Sequence, residues 1–180
     1  MKKLTNEQLA WAAGIMDGEG SFMLSYRPPT TDNPVKAKWG TNRTGIYPRR
    51  TGTYVKICSV PNTQLKLLRL FKSWFGGSIA TVKMPEDTNQ KQLYVWRLTS
   101  AHEVKHFTES IKPYLFLKRR HAEIFLEFYT TVQERFSGKL ITPEIRELRA
   151  KLHAEIKILN RRGRAAAETK RKDGGDAPKR

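Results

Sequence analysis

The chain has 180 residues, enough for one domain with a proper core and too few for two large ones. Its 34 Lys and Arg against 17 Asp and Glu give a net charge of +17, which makes a polyanion, nucleic acid above all, the obvious partner. A basic tail does not account for this: residues 161–180 contribute +5, and residues 1–160 keep +12.

A single cysteine, Cys58, excludes an internal disulfide and offers no zinc-ribbon spacing. No run of 18 apolar residues and no signal-peptide core occur. The expectation is an intracellular protein, in the cytoplasm or in an organelle that encodes it, without membrane attachment. The basic residues are also spread along the chain rather than along one amphipathic helix.

Thr5 and Gln8 form a capping-box pattern, and a helix is expected from about Asn6 to Gly18. Ala10, Gly14 and Gly18 recur every four residues and share one face, where small side chains let another backbone come close. After Gly20 the period becomes two, and Phe22, Leu24 and Tyr26 alternate with Ser21, Met23, Ser25 and Arg27 in a half-buried strand. Pro28-Pro29 ends it. Between Arg27 and Lys56 lie seven basic residues against the single acid Asp32, in a long turn rich in Gly, Pro, Thr and Asn.

A second strand is expected over Thr53–Val60, with Val55 and Ile57 on one side and Lys56 and Cys58 on the other. Asn62 caps a helix over Thr63–Phe75, which Gly76-Gly77 ends. A second hairpin follows, Ser78–Lys83 and Leu93–Thr99, turning at Pro85–Asn89. Helices are then expected over Ser100–Ile111, Leu115–Phe136 (apolar face Leu117, His121, Ile124, Phe125, Phe128 and Val132) and Thr142 to about Leu159. Polar, aperiodic residues 161–180 read as a disordered basic tail. The domain reading is a core over 1–140, a C-terminal helix over 141–160 and that tail.

The order α-β-β-α-β-β-α-α plus one helix is an α+β fold, with one four-stranded antiparallel sheet and helices on one face. The open face would carry Ser25, Arg27, Lys56, Lys83 and Arg97, with Thr81 in the second hairpin. Lys36, Lys38, Arg43, Arg49 and Arg50 from the long turn add to this basic surface, suited to a DNA groove.

Asp17 and Glu19 stand where the small-residue helix ends and the first strand begins. The run Ala12-Ala13-Gly14-Ile15-Met16-Asp17-Gly18-Glu19-Gly20 resembles the motif of the LAGLIDADG homing endonucleases, with Glu in place of the second acid. Ser21-Phe22, the element order, Phe75-Gly76-Gly77 and Lys112-Pro113-Tyr114-Leu115-Phe116-Leu117-Lys118 extend the similarity over most of residues 5–136. The resemblance implies site-specific, metal-dependent cleavage of double-stranded DNA, with Mg2+ or another divalent cation such as Mn2+. It makes Glu19 and the carbonyl of Gly18 metal ligands, Asp17 a structural brace, and Lys118 the residue that polarises active-site solvent. Ser59 is the nearest match to the polar residue that ends the second strand. With a single motif, the chain must pair with a second copy through Ala10, Gly14 and Gly18, and a homodimer cutting a long, partly palindromic site is expected.

The bland readings stand beside these. Taken alone, Glu19 is an ordinary turn carboxylate, and Lys118 a solvated lysine at a helix start. His102 and His106 have zinc-binding spacing but no third ligand, and read as surface histidines; His121 reads as core. Gly45-Ile46-Tyr47 is half of another nuclease signature and reads as coincidence. Trp74 and Trp96 read as core, and Trp39 stays open. Two further functions fit the same fold: a non-cleaving DNA-binding regulator, and an RNA-splicing maturase that binds its own intron.

Overall fold

The computed structural model describes residues 4–28, 52–85, 89–132 and 142–173, the last of these as backbone alone beyond Arg161. Helix α1 (Asn6–Gly18) begins at the expected capping box: the Gln8 N–H donates to Thr5 Oγ1 (3.3 Å) and the Thr5 N–H to Gln8 Oε1 (3.0 Å). It buries Ala12, Ala13 and Met16. Its exit into β1 (Ser21–Arg27) requires glycine at position 20, where a Cβ would lie 2.8 Å from the Met16 Cα. Strands β2 (Thr53–Asn62), β3 (Ser78–Thr81) and β4 (Tyr94–Leu98) complete an antiparallel sheet in the order β1-β2-β4-β3.

Helix α2 (Leu65–Phe75) lies between the hairpins. It stops because Gly76 and Gly77 take φ of +82° and +77°, a left-handed backbone that favours glycine. The Gly76 carbonyl accepts the Trp96 indole N–H at 2.9 Å, so the turn is tied to the sheet. Phe71 of α2 then packs between Trp96 (5.1 Å) and Trp11 (5.9 Å). Helix α3 (Ala101–Ile111), a 3-10 turn (Lys112–Tyr114) and helices α4 (Arg119–Thr130) and α5 (Pro143–Asp173) finish the order. This is the expected α+β architecture.

The last helix runs to Asp173, past the end expected near Leu159. It is part of the core: Leu152 and Ile156 are buried in the same cluster as Phe22, Phe71 and Phe125. Polar contacts hold it too, with Arg120 on Glu155 (2.7 Å) and Arg149 on the Thr131 carbonyl (2.6 Å). Asn160 donates to the Phe22 carbonyl at 3.0 Å, which satisfies an acceptor of the edge strand β1.

The expected helix Leu115–Phe136 starts later, at Arg119. Residues 115–118 are held out of helical form by hydrogen bonds from their backbone to Asp17, so Leu117 is 68% exposed rather than part of an apolar face. His121 is buried beside the Phe22 ring, as expected. Trp96 is buried, Trp74 half-buried, and Trp39 lies outside the described residues. His102 and His106 are exposed, as surface histidines should be.

The strand register sorts side chains between the two faces. Phe22 pairs with Cys58 and Cys58 with Leu98, all fully buried, so the helices cover that face. Lys56 pairs with Leu24 and belongs to the same covered face, contrary to its expected place on the open one. Its ammonium lies 5.3 Å from the Phe128 ring centre and 5.1 Å from that of Tyr129. Burial, and then the Arg149 charge, hold its pKa below the ordinary lysine value. Val55 and Ile57, opposite Ser25 and Met23, take the open face instead. Lys56→Met is therefore expected to change stability by less than about 1 kcal/mol, the scale of one cation–π contact. Urea unfolding of the variant beside the wild type measures this.

Candidate functional site

The C-terminal end of α1 is joined to the start of α4 by two reciprocal sets of hydrogen bonds. The Asp17 carboxylate accepts the backbone N–H of Phe116 (2.7 Å) and of Lys118 (2.8 Å). The Lys118 ammonium returns to α1 and donates to the carbonyls of Met16 (2.7 Å) and Asp17 (2.5 Å). A helix leaves its last carbonyls without backbone partners and its C-terminus partly negative, and α1 has no basic residue in its own last turn. Lys118 supplies that cation from a hundred positions away. Burial pushes its pKa below the ordinary lysine value, and the Asp17 charge pulls it back up.

Glu19 follows directly as the C-cap of α1, with its N–H donated to the Ile15 carbonyl at 2.8 Å, and its side chain is exposed. One carboxylate oxygen accepts a short hydrogen bond from the Asn62 amide. Asn62 was expected only as a helix cap. In fact β2 runs on to it, Gln64 is the N-cap residue of α2, and the Asn62 Oδ1 accepts the Gln64 N–H at 2.7 Å. One end of this amide thus sets the turn and the other holds Glu19. The signal in the sequence was an Asn beside a Pro in a strand. Pro61 lies past the last residue of β2 that pairs with β1, where no ladder donor is required on that side.

Ser59, the expected polar partner of the site, is elsewhere. Its register with Ser21 and Arg97 puts it on the open face, opposite to the parity of Asn62, and its hydroxyl pairs with that of Ser21 at 2.9 Å. The structure therefore brings Asp17, Gly18, Glu19, Asn62 and Lys118 together and leaves Ser59 out.

Among the described residues no group of three or more His, Cys, Asp or Glu could hold a metal. The donor set at the end of α1 is one exposed carboxylate, Glu19, beside the Gly18 carbonyl. That set fits a Mg2+ ion that keeps several waters and takes other ligands from a phosphate or a second chain.

On the same helix Ala10, Gly14 and Gly18 are exposed, and a Cβ built at Gly14 or Gly18 meets nothing within 4 Å. Of the residues expected to touch DNA, Ser25, Arg27 and Arg97 share the open sheet face, and Lys83 is exposed beyond β3. Thr81 pairs with Tyr94 and has the parity of the covered face, exposed at the sheet edge. Lys36, Lys38, Arg43, Arg49 and Arg50 lie outside the described residues, as does Gly45-Ile46-Tyr47. No helix among the described residues is long and apolar enough to cross a membrane.

No protein-family model matches the chain, and no curated protein matches it. Solved structures do. It is similar to the homing endonuclease I-CvuI in complex with the I-CreI target, with DNA not cleaved at 2 mM Mg: 17% identity, 85% of this chain and 82% of that one, TM-score 0.59. The archaeal intron-encoded homing endonuclease I-Vdi141I, complexed with DNA, is 17% identical over 86% of this chain and 84% of its own, TM-score 0.59. I-SmaMI, bound to an uncleaved DNA target with calcium ions, is 22% identical over 86% of this chain and 45% of its own, TM-score 0.54. The fold is that of the LAGLIDADG homing endonucleases.

The reciprocal bonds of Asp17 and Lys118 predict a stability cost distinct from any loss of activity. Asp17→Ala strips two backbone donors of a charged acceptor and should destabilise the chain by about 2–3 kcal/mol in urea unfolding. Amide exchange at Phe116 and Lys118 should accelerate ahead of the rest of α4.

Proposed function

We propose that this chain, starting from the homing-endonuclease fold it carries, is a site-specific double-strand DNA endonuclease that acts as a homodimer. The observation that carries this reading is the exposed Glu19 carboxylate, held by Asn62 at the end of a helix whose Gly14–Gly18 face is open. One carboxylate is half of what two cuts on opposite strands require. A second copy packed along Ala10, Gly14 and Gly18 brings its own Glu19 to the same end of the helix pair. Trp11, 41% exposed, borders the stripe and gives the contact apolar area.

Glu19 and the Gly18 carbonyl are the residues that would hold Mg2+ or Mn2+. When bound, the ion activates water and neutralises charge at the scissile phosphate. The chain's own side chains do the rest. Asn62 fixes the Glu19 rotamer by its amide N–H. Lys118, bonded to the last carbonyls of α1, presents a positive charge at the helix end that Glu19 caps, where it orients solvent and offsets phosphate charge. Asp17 braces the backbone before α4, each of its oxygens accepting one N–H. Ser25, Arg27, Lys83 and Arg97 contact the duplex, with phosphates giving affinity and base edges giving choice of site.

Cleavage is tested by selecting sites from a randomised duplex library with Mg2+. Glu19→Gln should lower the cutting rate by about three orders of magnitude, the scale of a lost metal ligand, while binding without metal is retained. A wild-type chain that binds a selected site and never cuts it would instead be a DNA-binding regulator. For assembly, Gly14→Leu should give a monomer in sedimentation at micromolar concentration with no cutting. The variant should still fold, because leucine exceeds glycine in helix propensity by up to ~0.8 kcal/mol and a Cβ at position 14 meets nothing within 4 Å. A dimer that survives this substitution would rule out the α1 interface.

A further inference from the structure

The open face of the sheet is less basic than the sequence pattern promised, because Lys56 belongs to the other side. Four rows of side chains cross it on the β1 side of a further row, Pro61, Val95 and Ala80. The first is Ser21, Ser59, Arg97 and Ser78, in register over all four strands. The next is Met23 opposite Ile57, then Ser25 opposite Val55, then Arg27 opposite Thr53. Met23 is 41% exposed, and Val55 and Ile57 are half-buried. No Asp or Glu occurs in these rows. An isolated apolar side chain on a surface needs no explanation. A contiguous apolar centre with an exposed guanidinium at each end is a different matter, since it matches a polyanion that presents apolar groups at fixed intervals.

The major groove of DNA is such a surface: its only apolar base-edge group is the thymine 5-methyl. Successive rows on one strand face are about 6.7 Å apart, close to two base steps of about 3.4 Å. Rows two and three therefore fall about two base steps apart while Arg97 and Arg27 reach the groove or its phosphates on either side. Resting on the DNA-binding reading above, we propose that Met23, Ile57 and Val55 choose the target by apolar contact with thymine methyl groups. Part of the site is then selected through methyls rather than through hydrogen bonds.

Replacing thymine by deoxyuridine removes that methyl and leaves every hydrogen-bonding group in place, so it tests the proposal without touching the protein. The preferred site is first selected by the full-length chain from randomised duplexes, with EDTA present to prevent cutting. Each thymine is then replaced singly by deoxyuridine and affinity measured. At two or more positions in each half-site the loss should be about fourfold, the factor that one buried apolar carbon is worth. The triple variant Met23→Ser, Val55→Ser, Ile57→Ser removes the apolar groups of all three residues, where threonine would leave a methyl able to contact thymine. It should bind the thymine and deoxyuridine forms of those positions equally while keeping any discrimination elsewhere. A selected site whose deoxyuridine forms all bind as well as thymine overturns the proposal alone, as does discrimination at those positions that persists in the triple variant. A chain that selects no site overturns it together with the reading it rests on.

Discussion

The contact on which the site depends is the exchange between Asp17 and Lys118. Each residue satisfies backbone groups of the other's element, so neither helix end is completed by its own sequence. The carboxylate takes the N–H groups that precede α4, and the ammonium takes carbonyls that α1 leaves over. Partial burial depresses the Lys118 pKa, and the Asp17 charge offsets part of that. The consequence is geometric. With Asp17 committed, Glu19 is the carboxylate that emerges at the end of α1, and Asn62 of β2 steadies it from the side.

The sheet shows how strictly a period of two divides labour. On the covered face Phe22, Cys58, Leu98 and Trp96 are fully buried against helices, and α5 adds Leu152 and Ile156. Lys56 and Arg149 share that side, each lying over the Phe128 ring, with Arg149 bonded to the residue that ends α4. These cations serve the core rather than a ligand. The other face keeps hydroxyls, two guanidiniums and an apolar centre. A single register thus separates charge used for folding from charge available to a partner.

Helix α1 stands at the meeting of these two roles. Its buried side is Ala12, Ala13 and Met16, and its opposite side is an exposed stripe of Ala10, Gly14 and Gly18. A helix interior gains nothing from glycine by itself, since each costs about 1 kcal/mol against alanine. That cost is offset only if another backbone comes close, which is the physical reason to read the open stripe and the solitary Glu19 as two halves of one arrangement.

What the sequence determined by itself is the local and periodic part. The capping box of α1, the switch from helical to alternating period at Gly20, the glycine stop after Phe75 and the order of elements follow from rules a few residues long, and the structure carries them. The place of Asp17 and Glu19 at the end of α1 was legible too. The tertiary structure decided what depends on partners far away in the chain. Lys56 changed face because β2 is one register step from the assignment that its charge invited. Leu115–Lys118 left the helix because Asp17, a hundred residues earlier, takes its amides. Asn62 replaced Ser59 because β2 continues past Pro61, and a strand's end is set by its neighbours rather than by its composition. Hydrophobic period and capping are properties of a segment; the parity of a strand and the partner of a carboxylate are properties of the whole fold.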